Sequence, residues 1–351
     1  MTNSIYPFKN LVFEGGGVKG IAYVGAMEEL DKRAIVQNIK RAGGTSAGAI
    51  NALLFGLNYS NQDVKQILGT LDFKKFLDDS WGYIRDTARL IENFGWYKGE
   101  FFRDWIADLI AQKTGNTEST FKDINALKNK KGFRDIYIIG TNLSTRFSEV
   151  FSCEHTPRIP VADAVRISMS IPLFFSAVRS VRGDVYVDGG VLDNYPVKLF
   201  DRKKYIDDAD IDKNSIIPNY YEKTNLQLKN MGKDISPYVY NKETLGFRLD
   251  SKEEINIFRN HSEPPVHKID NFFDYTWGLI ETIMEAQANQ HLHSDDWQRT
   301  IYIDTLGVKT TQFDLNDKTK EALVESGRAN TLSYFQWYDD PKNEVVNRPG
   351  E

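Results

Sequence analysis

Twice within its first sixty residues the chain runs a short apolar stretch into glycines and then into a helical pattern. The first pass is LVFEGGGVKGIAYVGAMEEL over 11–30, and the second is a strand-like run at 39–42 that meets GGTSAG and continues as AINALLFGL. Strand, glycine turn and helix in that order specify an α/β fold with a mostly parallel sheet, because parallel neighbours need a crossover connection. The pattern predicts strands at 11–14 and 39–42, and a helix over 21–30 with Ile21, Val24, Met27 and Leu30 on one side. Further strand-like runs lie at 134–144, 183–190 and 299–306, and a helical pattern covers 318–338. Between them, 201–230 carries twelve charged residues. The stretch from 201 to 240 reads as a surface excursion of a single domain spanning 1–351, which the strand and helix at 299–338 rejoin.

Composition narrows the partners. A net charge of −5 argues against nucleic acid, whose binders carry a basic excess. Cys153 is the sole cysteine, which excludes an internal disulfide and any cysteine-based zinc site. The N-terminal MTNSIYPFKNLVF lacks the basic start and unbroken apolar core of a secretory leader, and the longest apolar run, around Ala47 to Leu57, is too short to span a bilayer. The expectation is the cytoplasm, with any membrane met peripherally, from the water side, and signal-independent export left open.

Gly15, Gly17 and Gly20 fit the G-x-G-x-x-G spacing of a dinucleotide loop, but no acid ends the next strand to bind a ribose. A P-loop fails too, since Ile21-Ala22 stands where Lys-Ser or Lys-Thr belongs. What ends the second strand is Gly44-Thr45-Ser46-Ala47-Gly48, a G-x-S-x-G elbow that lifts a serine hydroxyl clear of the backbone. A serine nucleophile needs a base, and His155, His261, His267, His291 and His293 all sit in polar surroundings with no catalytic setting. Asp188, in VYVDGGVLDNYP, follows a strand directly, and Gly189-Gly190 let the chain turn there. Loops leaving the carboxyl ends of parallel strands converge on one crevice, so the 15–20 loop, Ser46 and Asp188 are expected to meet.

These three pieces, Gly15-Gly16-Gly17-Val18-Lys19-Gly20, Gly44-Thr45-Ser46-Ala47-Gly48 and Asp188-Gly189-Gly190, closely resemble the patatin-like phospholipase family. AVRISMSIPLFF (164–175) resembles the family's Ser-x-x-Ile-Pro-x-x-Phe block, and GWYKGEFFRDWI (95–106) its segment after the nucleophile helix. The likeness in order and spacing covers roughly 8–200, and the tail from about 240 is similar with less specificity. The resemblance implies a three-layer α/β/α fold and a lipid acyl hydrolase with a Ser-Asp dyad: Ser46 as nucleophile, Asp188 as general base, and an acyl-enzyme intermediate. It implies an oxyanion hole at Gly16, Gly17 and Val18, with Gly15, Lys19, Gly20, Gly44, Gly48, Gly189 and Gly190 supporting. It implies no metal and no organic cofactor, a phospholipid or related lipid ester as substrate, and room for a protein or small-molecule activator. A non-catalytic lipid- or nucleotide-binding module and a Ser-His acyltransferase are the alternatives.

Other features have plainer readings. Six aromatics in 94–105 read as core, with a lid or lipid-touching surface as the alternative. The run from His291 to Asp296 reads as an exposed polar helix end before a metal site, and the acidic stretch 207–212 as a solvated face.

Overall fold

A computed structural model describes residues 6–76, 94–232, 235–251, 263, 266, 268–270, 272–289 and 295–340. Eight strands form the main sheet: β1 (Asn10–Phe13), β2 (Arg41–Thr45), β3 (Asp135–Asn142), β4 (Phe147–Ser152), β5 (Val178–Arg179), β6 (Val185–Asp188), β7 (Thr244–Asp250) and β8 (Thr300–Asp304). Their order is β8-β7-β1-β2-β3-β6-β5, with β4 also on β3. The pairings from β8 to β3 are parallel, and those involving β4, β5 and β6 are antiparallel. Helices flank this sheet: α1 (Tyr23–Lys32), α2 (Ala47–Gly56), α3 (Glu100–Thr114), α4 (Val161–Ser168), α5 (Phe272–Asn289) and α6 (Asp317–Asp339).

Alternation along β1 divides the interior. Leu11 and Phe13 enter the large core with α1, α2, α3 and α6, whereas Val12 faces the opposite side with Tyr137, Tyr195, Val197, Phe200 and Tyr205. The charged stretch after 200 is therefore anchored: Asp201 is buried and holds Arg299 at 2.6 Å, while Asp207, Asp208 and Asp212 stay exposed. Of the aromatic run, Phe102 is buried on α3 but Phe94 and Phe101 are exposed, so only part of it is core.

One edge of β3 explains how the site is assembled. β4 runs along residues 137–142 on one side, so β2 and β6 share the other, β2 beside 135–139 and β6 beside 140–142. Thr45 lies opposite Ile139 and Asp188 opposite the next residue, Gly140. Two strands running in opposite directions thus meet end to end. The crevice expected from parallel strand ends is replaced here, because the strand carrying Asp188 is antiparallel to β3.

Candidate active site

Ser46 occupies that junction as the N-cap of α2, with φ +53° and ψ −126°. A left-handed φ is costly for a residue with a side chain, so the surroundings must hold it. Its N–H donates to Ser168 Oγ at 2.9 Å, and the Ser168 hydroxyl donates to the Ile139 carbonyl at 2.6 Å. The elbow glycines are required by contact: a Cβ on Gly44 would stand 2.3 Å from the Gly48 carbonyl oxygen, and one on Gly48 2.3 Å from that of Phe13.

Across the junction, the Asp188 N–H donates to the Ser170 carbonyl at 2.9 Å, and Oδ1 accepts the Gly190 N–H at 2.7 Å. Oδ2 is buried and has no hydrogen-bond partner among the described residues. Burial pushes the Asp188 carboxyl up to about 7, against the lowering effects of the Gly190 N–H and the nearby Ser46 hydroxyl. Ser46 Oγ itself lies 3.6 Å from Met169 Sδ. Both groups are sealed from solvent, Ser46 at 1% exposure and Asp188 at 0%. The Met284 methyl of α5 packs against Gly190, just beyond the carboxylate.

The glycine loop closes the third side. Its Gly15 sits so near Ser46 that a Cβ there would come within 3.0 Å of the Ser46 Cβ. Among the described residues, the N–H groups of Gly16 and Gly17 donate to no partner, whereas Val18 N–H donates to the Thr310 carbonyl at 3.2 Å. Of the three expected oxyanion donors, two are thus free and one is engaged. Gly17 has φ +55°, and a Cβ on it would stand 2.1 Å from that same Thr310 oxygen. Lys19 is half-buried, and burial raises the Glu14 carboxyl against only a small opposing effect of the Lys19 charge.

Several residues that motif reading passed over fix this geometry. The Asn194 backbone carbonyl accepts the Gly15 N–H (3.0 Å), and Asn194 Nδ2 donates to the Gly15 carbonyl at 3.3 Å, tying the glycine loop to the turn after Asp188. Glu14 Oε2 accepts the Leu249 N–H at 2.6 Å; burial raises its carboxyl, opposed mainly by Arg248. Arg166 donates to Ser170 Oγ and to the carbonyls of Lys98 and Ser176, bracing the segment on which Asp188 N–H rests. Asn194 stands six residues after Asp188 in the quoted DGGVLDNYP, so its place in that run was the available signal.

The sequence profile of patatin-like phospholipases matches residues 11–201, a span that holds the glycine loop, Ser46 and Asp188. The chain belongs to this family. The Bacillus subtilis protein YqhO is 28% identical over 93% of this chain and 98% of its own length. A protein of Acanthamoeba polyphaga mimivirus is 30% identical over 91% of each. Among solved structures, VipD from Legionella pneumophila superposes with a TM-score of 0.57 at 18% identity, covering 95% of this chain and 67% of that one, which is a likeness of fold.

For a patatin-like chain the histidines matter by contrast. His155 Nδ1 bonds to Ser152 Oγ at 2.8 Å, and the other four lie outside the described residues, as does most of the run from His291 to Asp296. No group of three His, Cys, Asp or Glu residues that could hold a metal occurs among the described residues. Nor is any described helix long and apolar enough to cross a membrane.

Proposed function

We propose that this patatin-like chain hydrolyses carboxylic ester bonds of phospholipids or related lipids through Ser46 and Asp188. The observation that carries the reading is the junction itself: a serine on a strained elbow abuts a buried carboxylate with one oxygen unpartnered. In the cycle, Asp188 takes the proton of Ser46 Oγ as the oxygen attacks the ester carbonyl. The resulting oxyanion is held by the N–H groups of Gly16 and Gly17, each such donor being worth roughly 10²–10³ in rate. Protonated Asp188 then gives its proton to the departing alcohol, leaving an acyl-Ser46 ester. Water enters, loses a proton to Asp188 and attacks that ester, and the released serine oxygen recovers the proton from Asp188.

Because Ser46 is sealed, with Met169 Sδ against its Oγ, substrate entry requires the cover over it to move, which fits opening at a lipid surface or on binding an activator. The test is release of free fatty acid from phospholipid vesicles, with products identified by mass spectrometry. Ser46→Ala and Asp188→Asn are each expected to lose about 10⁴-fold or more in rate while keeping native circular dichroism. Full turnover by a folded Ser46→Ala protein would refute the mechanism.

A further inference from the structure

The edge of β3 that assembles the dyad also extends past it. Beyond Asn142 the chain turns through 143–146 into β4, and alongside, β5 turns through 180–184 into β6. The two turns are locked together: Leu143 N–H donates to the Val185 carbonyl at 2.8 Å, and Val185 N–H to Ser144 Oγ at 3.0 Å. They point the same way as the carboxyl ends of β1 and β2, where the glycine loop and Ser46 begin. Asp188 lies three residues down β6 from Val185, about 10 Å below the base of the tip.

This tip has an unusual surface for a chain of net charge −5. Val181 is fully exposed, Phe147 72% and Leu143 46%. Around them stand the exposed side chains of Arg146, Arg179 and Arg182. Among the described residues none of the three arginines forms an ion pair, and Arg179 instead lies 5.3 Å from the ring of half-exposed Phe94. The acids nearby are set back: Glu149 takes Asn142 Nδ2 and Tyr186 OH, and Asp184 is half-buried. Apolar groups at a protruding tip ringed by unpaired guanidinium groups match a bilayer surface of anionic headgroups, into which apolar side chains sink while cations stay at the phosphates.

We propose that the paired turns 143–146 and 180–184, with Phe147 at the start of β4, form a docking tip for an anionic phospholipid surface. The tip holds the Ser46–Asp188 junction against the membrane, and this orienting role rests on the lipid-hydrolase reading. The whole chain carrying Ser46→Ala, which leaves vesicles intact, is sedimented with vesicles of phosphatidylcholine alone or mixed equally with phosphatidylglycerol. Binding is expected to the mixed vesicles, weakening with salt, and Arg146→Gln with Arg182→Gln should lower it about twenty-five-fold, at about fivefold per arginine. Phe147→Ser with Val181→Ser should remove the binding that persists in high salt. On a wild-type Ser46 background, both double variants should hydrolyse a soluble short-chain ester at the unmodified rate. Equal affinity for neutral and anionic vesicles, unchanged binding by both double variants, or retention on heparin without vesicle binding would each overturn the proposal. Vesicle binding by the chain with Ser46 intact, without fatty acid release from those vesicles even when cell extract is added, would instead remove the hydrolase reading and leave the docking tip standing.

Discussion

Asp188 is kept where its neutral form is favoured, which sets a conflict between stability and chemistry. Burial raises its carboxyl from 3.8 to about 7, so the contribution to stability is complete below the unfolded value and is lost as pH rises through about 7. Asp188→Asn, which stays neutral, should gain stability over the native chain across that window, by on the order of 4 kcal/mol at pH 8. Denaturant melts at pH 4 and pH 8 measure the difference, and an equal effect at both would contradict the assignment. The same ionisation makes the base competent, so kcat/KM should climb with pH through an inflection near 7 instead of the ordinary carboxylate range. A profile already flat from pH 5 upward would place the base elsewhere.

At the level of elements, the side of the sheet that carries Ser46 is held by helices whose backbones touch. A Cβ on Gly25 of α1 would stand 1.8 Å from the Val324 carbonyl oxygen, and one on Gly327 of α6 1.9 Å from that of Ala22. Gly25→Ala or Gly327→Ala must push α6 away, costing about 3 kcal/mol, and calorimetry should show a lowered Tm. Such contacts also explain what was legible beforehand. Gly44 and Gly48 stand where a side chain would meet neighbouring backbone, and Gly17 combines such a contact with a positive φ, so the elbow and the loop could be found from sequence. Strand direction could not, because VYVD reads alike both ways, and Asp188 reaches Ser46 on an antiparallel strand. β7 was passed over since Arg248 and Asp250 look like surface residues; they are buried beside Glu14, and such pairing has no local signature. The second strand was read as ending at Ala42 but continues to Thr45, its glycines leaving space for Leu199 and Gly48. The helix read from Ile21 begins at Tyr23, after a tighter turn over Gly17–Ala22. The contact between Val18 and Thr310 joins segments far apart in the chain and left no trace in either.

Over the whole molecule, the Ser46–Asp188 junction is closed to solvent. A fluorophosphonate should therefore label Ser46 slowly in buffer and about tenfold faster or more on mixed vesicles, as expected if open molecules are a minor population in solution. Mass spectrometry of the labelled peptide follows both rates, and identical rates would mean the seal is not a barrier. The closed centre is built from distant parts of the chain, yet the spacing of its two reactive groups depends on one peptide step, from Ile139 to Gly140. β3 acts as a ruler against which Ser46 and Asp188, the proposed nucleophile and base, are each set. A one-residue insertion between Ile139 and Gly140 would part the two strand ends by about 3.3 Å and turn the residues beyond it to the other face of the sheet.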